Sequence, residues 1–238
     1  MTVVPTGRAR GLAVAGITAV ISGFAVFVNG YGVRSFPDAT VYTTAKNLVA
    51  ALILVALAVP VVLRSPAPHR PAGARQWWGL AVIAVLGGSV PFVLFFEGLA
   101  RTSSTHAAFL QKTLVLWVAL LAVPALGERL RGRHVAAIGL ILGGLIALEG
   151  GVVWLRPGTA PDSGELLILA ATLLWAVEVV VAKRLLRRVA PMTVAVARMG
   201  AGVLVLLGWL AVTGRFGDLV GLSGGGWLWA LATGAILA

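Results

Sequence analysis

Eight apolar stretches divide this chain, and the connections between them alternate between strongly positive and nearly neutral. The stretches lie at 11–29, 40–63, 77–97, 104–126, 135–154, 164–182, 191–213 and 227–238. A bilayer's hydrocarbon, about 30 Å thick, takes about 20 apolar residues per helical crossing. The chain has 238 residues, 59% of them hydrophobic and 11% charged, with mean hydropathy +0.99. A water-soluble core of that size has no use for so many long apolar segments. Backbone groups in lipid must be satisfied within their own segment, and period-2 alternation is missing, so the stretches read as helices. The fold class is an all-α polytopic membrane protein.

Net charge is +11, yet its placement argues against nucleic acid as a partner. With the N-terminus in the cytoplasm, the inner side receives Arg8, Arg10, Arg64, Arg70, Arg75, Arg129, Arg131, Arg133, Lys183, Arg184, Arg187 and Arg188. The outer side receives only Arg34, Arg101, Arg156 and Arg215, while Lys46, Lys112 and Arg198 fall within spans. Basic residues collect on the cytoplasmic side, so this orientation is the expected one. Trp77, Trp78, Trp154, Trp227 and Trp229 lie near span ends, where interfacial anchors belong. Arg8 and Arg10 precede an apolar run as in a signal peptide, but no cleavage pattern follows, so the run reads as a retained first helix. The proline-rich connection 64–71 reads as a stiff structural loop. Cysteine is absent, which removes disulfides and thiolate metal sites.

Sliding the sequence by 153 residues lays the first two spans on the sixth and seventh. Gly11 meets Gly164, Val26 meets Val179, Thr40-Val41 meets Thr193-Val194 and Leu57-Ala58-Val59 meets Leu210-Ala211-Val212. A slide of 150 lays Trp77 on Trp227. The shared order of these short matches carries the argument. The repeat unit holds five spans, an odd number, so the second copy enters the membrane in the opposite sense. Inverted repeats are a common architecture of secondary transporters, with a site between the copies near the midplane. The units are expected at 1–154 and 155–238, the second stopping part-way through its third helix, so that about seven and a half helices are present.

Leu126-Gly127-Glu128-Arg129-Leu130 closes the fourth span and Gly139 through Gly144 follow in the fifth. Phe95-Phe96-Glu97-Gly98-Leu99-Ala100-Arg101-Thr102-Ser103 ends the third, and Leu174-Trp175-Ala176 lies in the sixth. With these motifs the chain resembles the EamA-type transporters of the drug/metabolite transporter superfamily, over nearly its whole length. The resemblance implies ten helices in two inverted five-helix repeats, alternating access without nucleotide hydrolysis, and helices one, three, four and six around the cavity. It also implies a second Gly-Glu signature near the end of repeat two, which this sequence lacks; the expectation is a C-terminally truncated chain or one that pairs with another polypeptide.

The candidate cavity residues are Ser22, Asn29, Glu97, His106, Lys112, Trp117, Trp175 and Glu178. Thr18, Ser22, Ala25 and Asn29 form one stripe of the first helix, matched in the repeat by Ala171, Trp175, Glu178 and Ala182. Both stripes are expected to face the repeat interface, or to serve plain packing through small residues. Glu178 lies deep in its span, where a charge costs about 2.5–3.5 kcal/mol on insertion scales. It either carries a proton, meets a cationic group of the solute, or pairs structurally with a basic residue at the inner end such as Lys183. Glu97 and Lys112 flank one outer turn at similar depth, so they are expected as a structural pair or a gate. His106, Thr113 and Trp117 share another stripe, His106 being an interfacial residue or a pH-sensitive contact. Gln111 needs a partner that the sequence does not supply. Gly139, Gly143 and Ala147 make a small-residue packing face. Glu128 is expected to fix a turn by pairing with arginines, and Pro91 after Gly87 and Gly88 is expected to kink the third span.

No Walker loop, His-Glu-x-x-His or Gly-x-Ser-x-Gly motif is present, and no catalytic residue, cofactor or metal site is expected. The leading expectation is a secondary transporter exporting small metabolites across a bacterial plasma membrane. Its partners are the lipid bilayer and a small-molecule solute, with a homodimer or a complementing half-transporter left open. Alternatives are a non-transporting relative or partner subunit, and an intramembrane enzyme acting on lipid-linked substrates. The orientation has a direct test: reporters fused after Arg75 and after Arg188 should both report the cytoplasmic side, and opposite sides would break the inverted relation.

Overall fold

The computed structural model describes residues 6–64, 71, 73–127, 131–148 and 162–236. The charges at Arg8, Arg10, Arg64, Arg70, Arg129, Arg133 and Arg156, the loop 65–70, Glu128 of the Gly-Glu signature and Trp154 lie, wholly or by their side chains, outside the described residues. The described residues form helices α1 (Thr6–Arg34), α2 (Ala39–Arg64), α3 (Ala74–Gly88), α4 (Val90–Arg101), α5 (Ser104–Lys112), α6 (Leu114–Leu126), α7 (Gly132–Leu148) and α8 (Ser163–Leu185). After α9 (Pro191–Val196) comes a π-turn, Ala197–Ala201, then α10 (Gly202–Val212), α11 (Phe216–Val220) and α12 (Gly224–Ile236). Six helical segments are long and apolar enough to cross a membrane, against eight apolar stretches in the sequence. Two fall short: α7 is described for 17 residues and α12 for 13.

Polarity runs inside out. Val20, Leu52, Leu57, Leu140, Leu204 and Val212 are exposed, as lipid-facing side chains should be. Thr40, Thr43, Thr44, Lys46, Asn47, Thr172, Glu178 and Thr233 are buried instead. The threonines tolerate this because their hydroxyls donate back to carbonyls of their own helices: Thr43 to Ala39 at 2.7 Å, Thr44 to Thr40 at 2.8 Å and Thr172 to Leu169 at 2.8 Å.

Helix ends follow local chemistry. Asp38 accepts from the backbone N–H groups of Thr40 and Val41, opening α2. Asp162 and Glu165 form a reciprocal capping box at α8. Gly127, the glycine of the Gly-Glu signature, closes α6 at φ 66°, in the left-handed region that favours glycine. The polar ends gather on two faces. At one, Arg34 donates to the Thr102 carbonyl at 3.1 Å, Asp38 pairs with Arg215, and His106 meets Glu165 at 3.2 Å. At the other, Arg184 donates to the Ala125 carbonyl and Leu185 packs over Gly79.

The third span is interrupted rather than merely kinked. Ser89 leaves the helix at φ −136°, ψ −77°, and its hydroxyl turns back to the Ala84 and Val85 carbonyls, each at 3.1 Å. Pro91, lacking an N–H, cannot close the helical bond to Gly87 four residues back. The indole N–H of Trp175 donates to that freed Gly87 carbonyl at 3.3 Å. The fourth span breaks more gently at Thr113, whose hydroxyl returns to the Leu110 carbonyl at 2.6 Å.

Around the Ser89 break the backbones touch. A Cβ on Gly202 would stand 2.7 Å from Gly88 Cα, and one on Gly88 would overlap the Arg198 carbonyl oxygen, so α3 reaches the π-turn only through glycine. The small-residue face of α7 is different: a Cβ on Gly139, Gly143 or Gly144 meets no described atom within 4 Å. Trp175→Phe should leave the Gly87 carbonyl unpaired and lower stability by about 1–3 kcal/mol. The loss should shrink in a Pro91→Ala background, where residue 91 regains its N–H; unfolding midpoints in detergent measure both.

Candidate functional site

Six aromatic rings form a continuous column through the centre. Phe36 meets Tyr42 with centroids 4.9 Å apart, Tyr42 meets Phe96 at 5.4 Å, and Phe96 meets Phe95 at 5.5 Å. Phe95 then meets Trp175 at 5.5 Å, and Trp175 meets Phe92 at 5.3 Å. All but the Phe95–Trp175 contact are edge-to-face, an arrangement that aromatic quadrupoles favour. At one end Phe36 lines a cleft of about 460 Å³ with Ser35, Asp218, Ser223 and Trp229. At the other, the Arg198 guanidinium lies 5.8 Å from the Phe92 ring centre.

Two charged stations flank the column. Glu178 is 6% exposed and faces Arg198, with 3.6 Å between Oε1 and Nε. Arg198 Nε makes no hydrogen bond, so the two charges attract without the close contact of a locked pair. Gly87 makes room for the carboxylate: a Cβ there would stand 2.6 Å from Glu178 Cγ. Both partners sit at helix irregularities, Glu178 against the Gly87–Ser89 break and Arg198 in the π-turn, features that recur at functional sites. The second station is Lys46, 3% exposed, its ammonium 5.0 Å over the Phe96 ring. Its neighbour Asn47 is 1% exposed, and neither polar atom of its side chain has a hydrogen-bond partner among the described residues.

The expected site residues divide. Trp175 belongs to the column, and Glu178 stands beside its Phe92 end, facing Arg198. Asn29 joins it indirectly, accepting from the Tyr42 hydroxyl at 2.6 Å and donating to the Ala25 carbonyl at 2.6 Å. Ser22 is half-buried and Thr18 exposed, so the stripe of α1 is buried only at its Asn29 end. Helix α8, which carries the matching stripe, packs mainly against α4, α6 and α3 rather than against α1. Three expectations need correction. Glu178 pairs with Arg198 from the seventh span and not with Lys183, because the π-turn brings Arg198 across to α8. Glu97 does not pair with Lys112. Its carboxylate binds Arg101 one turn on, at 2.9 Å, and accepts from Thr40 at 3.2 Å, so it faces α2. His106 meets Glu165 on α8 and is no isolated interfacial residue. Trp117 Nε1 and Gln111 Oε1 are buried without hydrogen-bond partners among the described residues.

A sequence profile of the EamA-like transporter family matches residues 9–149 and 162–238. The chain belongs to this family. No curated protein matches it. For an EamA-like transporter the column has a plain reading: a multi-pass membrane protein holds a polar, partly uncompensated interior sheathed in apolar surface. Lys46, Asn47 and Arg198 were missed as site residues, although the sequence held a signal. A slide of 152 lays Ala45-Lys46 on Ala197-Arg198 and Leu52-Ile53-Leu54 on Leu204-Val205-Leu206. Arg198→Met should leave Glu178 buried without its cation and destabilise by roughly 1–3 kcal/mol, less than a fully buried pair loses because Arg198 is half-buried. Glu178→Gln combined with Arg198→Met should recover most of that; simple addition of the two single losses in thermal unfolding would show that the residues are not coupled.

Proposed function

We propose that this EamA-like transporter is a secondary transporter of small metabolites: amino-acid-like, amphipathic or drug-like solutes. It works by alternating access between inverted units at 1–154 and 155–238, in a bacterial plasma membrane with its N-terminus cytoplasmic. Export is the direction favoured by the family resemblance. The observation that carries the reading is the buried Glu178 carboxylate facing the half-buried Arg198, 3.6 Å apart where two interrupted helices meet at the end of the aromatic column. A buried pair without close hydrogen bonding gives up its partner more readily than a bidentate one. Glu178 exchanges Arg198 for a proton or for a cationic group of the solute, and the exchange changes how tightly α8 holds the π-turn. The polar ties at the Arg34 face, Asp38–Arg215 and His106–Glu165, and the Arg184–Ala125 contact at the opposite face are the groups that open and close in turn. The two stretches matched by the family profile support the two-unit reading.

Solute flux in proteoliposomes, with and without an imposed pH gradient, tests this. Wild type should respond to the gradient, and Glu178→Gln should transport without responding. An unchanged gradient response in Glu178→Gln would remove Glu178 from coupling.

A further inference from the structure

We infer that Lys46 and Asn47 form a subsite for the anionic group of the transported solute, a carboxylate or a phosphate. The inference rests on the transport reading above and narrows it to anionic or zwitterionic solutes.

Buried polar groups on α2 are satisfied one by one until the chain reaches this pair. Thr40 donates to Glu97, while Thr43 and Thr44 donate to carbonyls of their own helix. Lys46 has no carboxylate and no hydrogen-bond acceptor among the described residues; only the face of Phe96 receives its charge. Asn47 leaves both a donor and an acceptor unused. A buried cation without a counter-charge is the chemistry that takes an anion, and the next residue of α2 keeps a buried amide donor in reserve.

The repeat shows what is missing. Lys46 lies seven residues into α2, and Arg198 lies seven residues beyond Pro191, where α9 opens. Arg198 has a buried carboxylate from α8, but the position equivalent to Glu178 in the first unit is Ala25. The first unit therefore holds the cation without its counter-charge. At 1.5 Å per residue Lys46 sits about 10 Å from the start of α2. Phe36, which lines the 460 Å³ cleft, connects to it through Tyr42 and Phe96. The cleft, whose lining includes Asp218, is the entry, and Lys46 is the first cation that an anion meets along the column.

Thermal unfolding of the purified chain in neutral detergent, followed by tryptophan fluorescence, tests the subsite without transport. The probes are inorganic phosphate, succinate, tetraphenylphosphonium as a cationic control, and phosphatidylglycerol micelles for a lipid source. Phosphate or succinate should raise the midpoint of wild type saturably. Lys46→Met should weaken that effect at least about tenfold, as loss of a charged hydrogen bond does, and Lys46→Arg should keep it. Asn47→Ala, which retains the charge, should weaken it in part and serves if Lys46→Met does not fold. No anion effect on wild type, or an effect unchanged in Lys46→Met and Asn47→Ala, overturns the subsite. A response to phosphatidylglycerol alone overturns its assignment to a solute. An intact anion response alongside absent flux in proteoliposomes would defeat the transport reading instead, leaving the subsite standing.

Discussion

A missing N–H at Pro91 organises the centre of this molecule. Without that donor the Gly87 carbonyl has no helical partner, and in a low-dielectric interior an orphaned carbonyl must find another. Trp175 supplies one from α8, tying the sixth span to the broken third. The tie fixes Trp175 between Phe92 and Phe95 and sets Glu178, one turn on, beneath Gly87. The break also exposes Gly88 to the close approach of Gly202 and the Arg198 carbonyl, and so brings the π-turn alongside. One lost hydrogen bond thus places the aromatic column, the buried acid and the cation opposite it.

Helices in lipid gain no hydrophobic stabilisation from packing against one another, so they associate through close contact and polar bonds. Both appear here in the same places. Glycines make the contacts at 88, 98, 164, 202 and 234, while polar bonds between helices cluster at the two ends of the bundle and at the Gly87–Trp175 tie. Between those fixed points the interior is lined by aromatic rings, Tyr42 and Trp175 anchored by hydrogen bonds and the phenylalanines held by ring contacts alone. Rings can slide and tilt with little penalty, whereas a hydrogen-bonded lattice resists displacement. On the proposed transport reading, a route lined this way changes width while its ends stay specified.

Much of the arrangement was legible in sequence, for identifiable reasons. Six of the eight expected spans follow from hydropathy, a kink at Pro91 (though not the full interruption) from proline chemistry, and the burial of Glu178 from its place within its span. Partner choice was not legible. Depth along a helix can be counted from residue number, but the direction a side chain takes around the bundle cannot. Glu97 and Lys112 match in depth, yet Glu97 turns toward Thr40 and Arg101. Lys183 lies nearer to Glu178 in sequence than Arg198 does, yet Arg198 takes the carboxylate because a π-turn widens its helix at that point. Such a turn leaves no clear mark in composition. The cations within spans were visible from the start, and aligning Lys46 with Arg198 needed an offset of 152 in place of 153.

That shift of one residue bears on mechanism. On the proposed inverted arrangement, two identical units would present the same charges at the same depth from each face, and a solute would meet the same sequence of contacts from either side. The units differ where it matters: Arg198 faces a carboxylate and Lys46 faces a ring. On the proposed reading, a solute entering beside Phe36 meets an uncompensated cation first and a compensated one second. Its anionic group is held early, and its remaining charge must then compete with Arg198 or Glu178 for a partner. On that proposal, Ala25 in the first unit where the second has Glu178 turns a symmetric lining into an ordered series of exchanges.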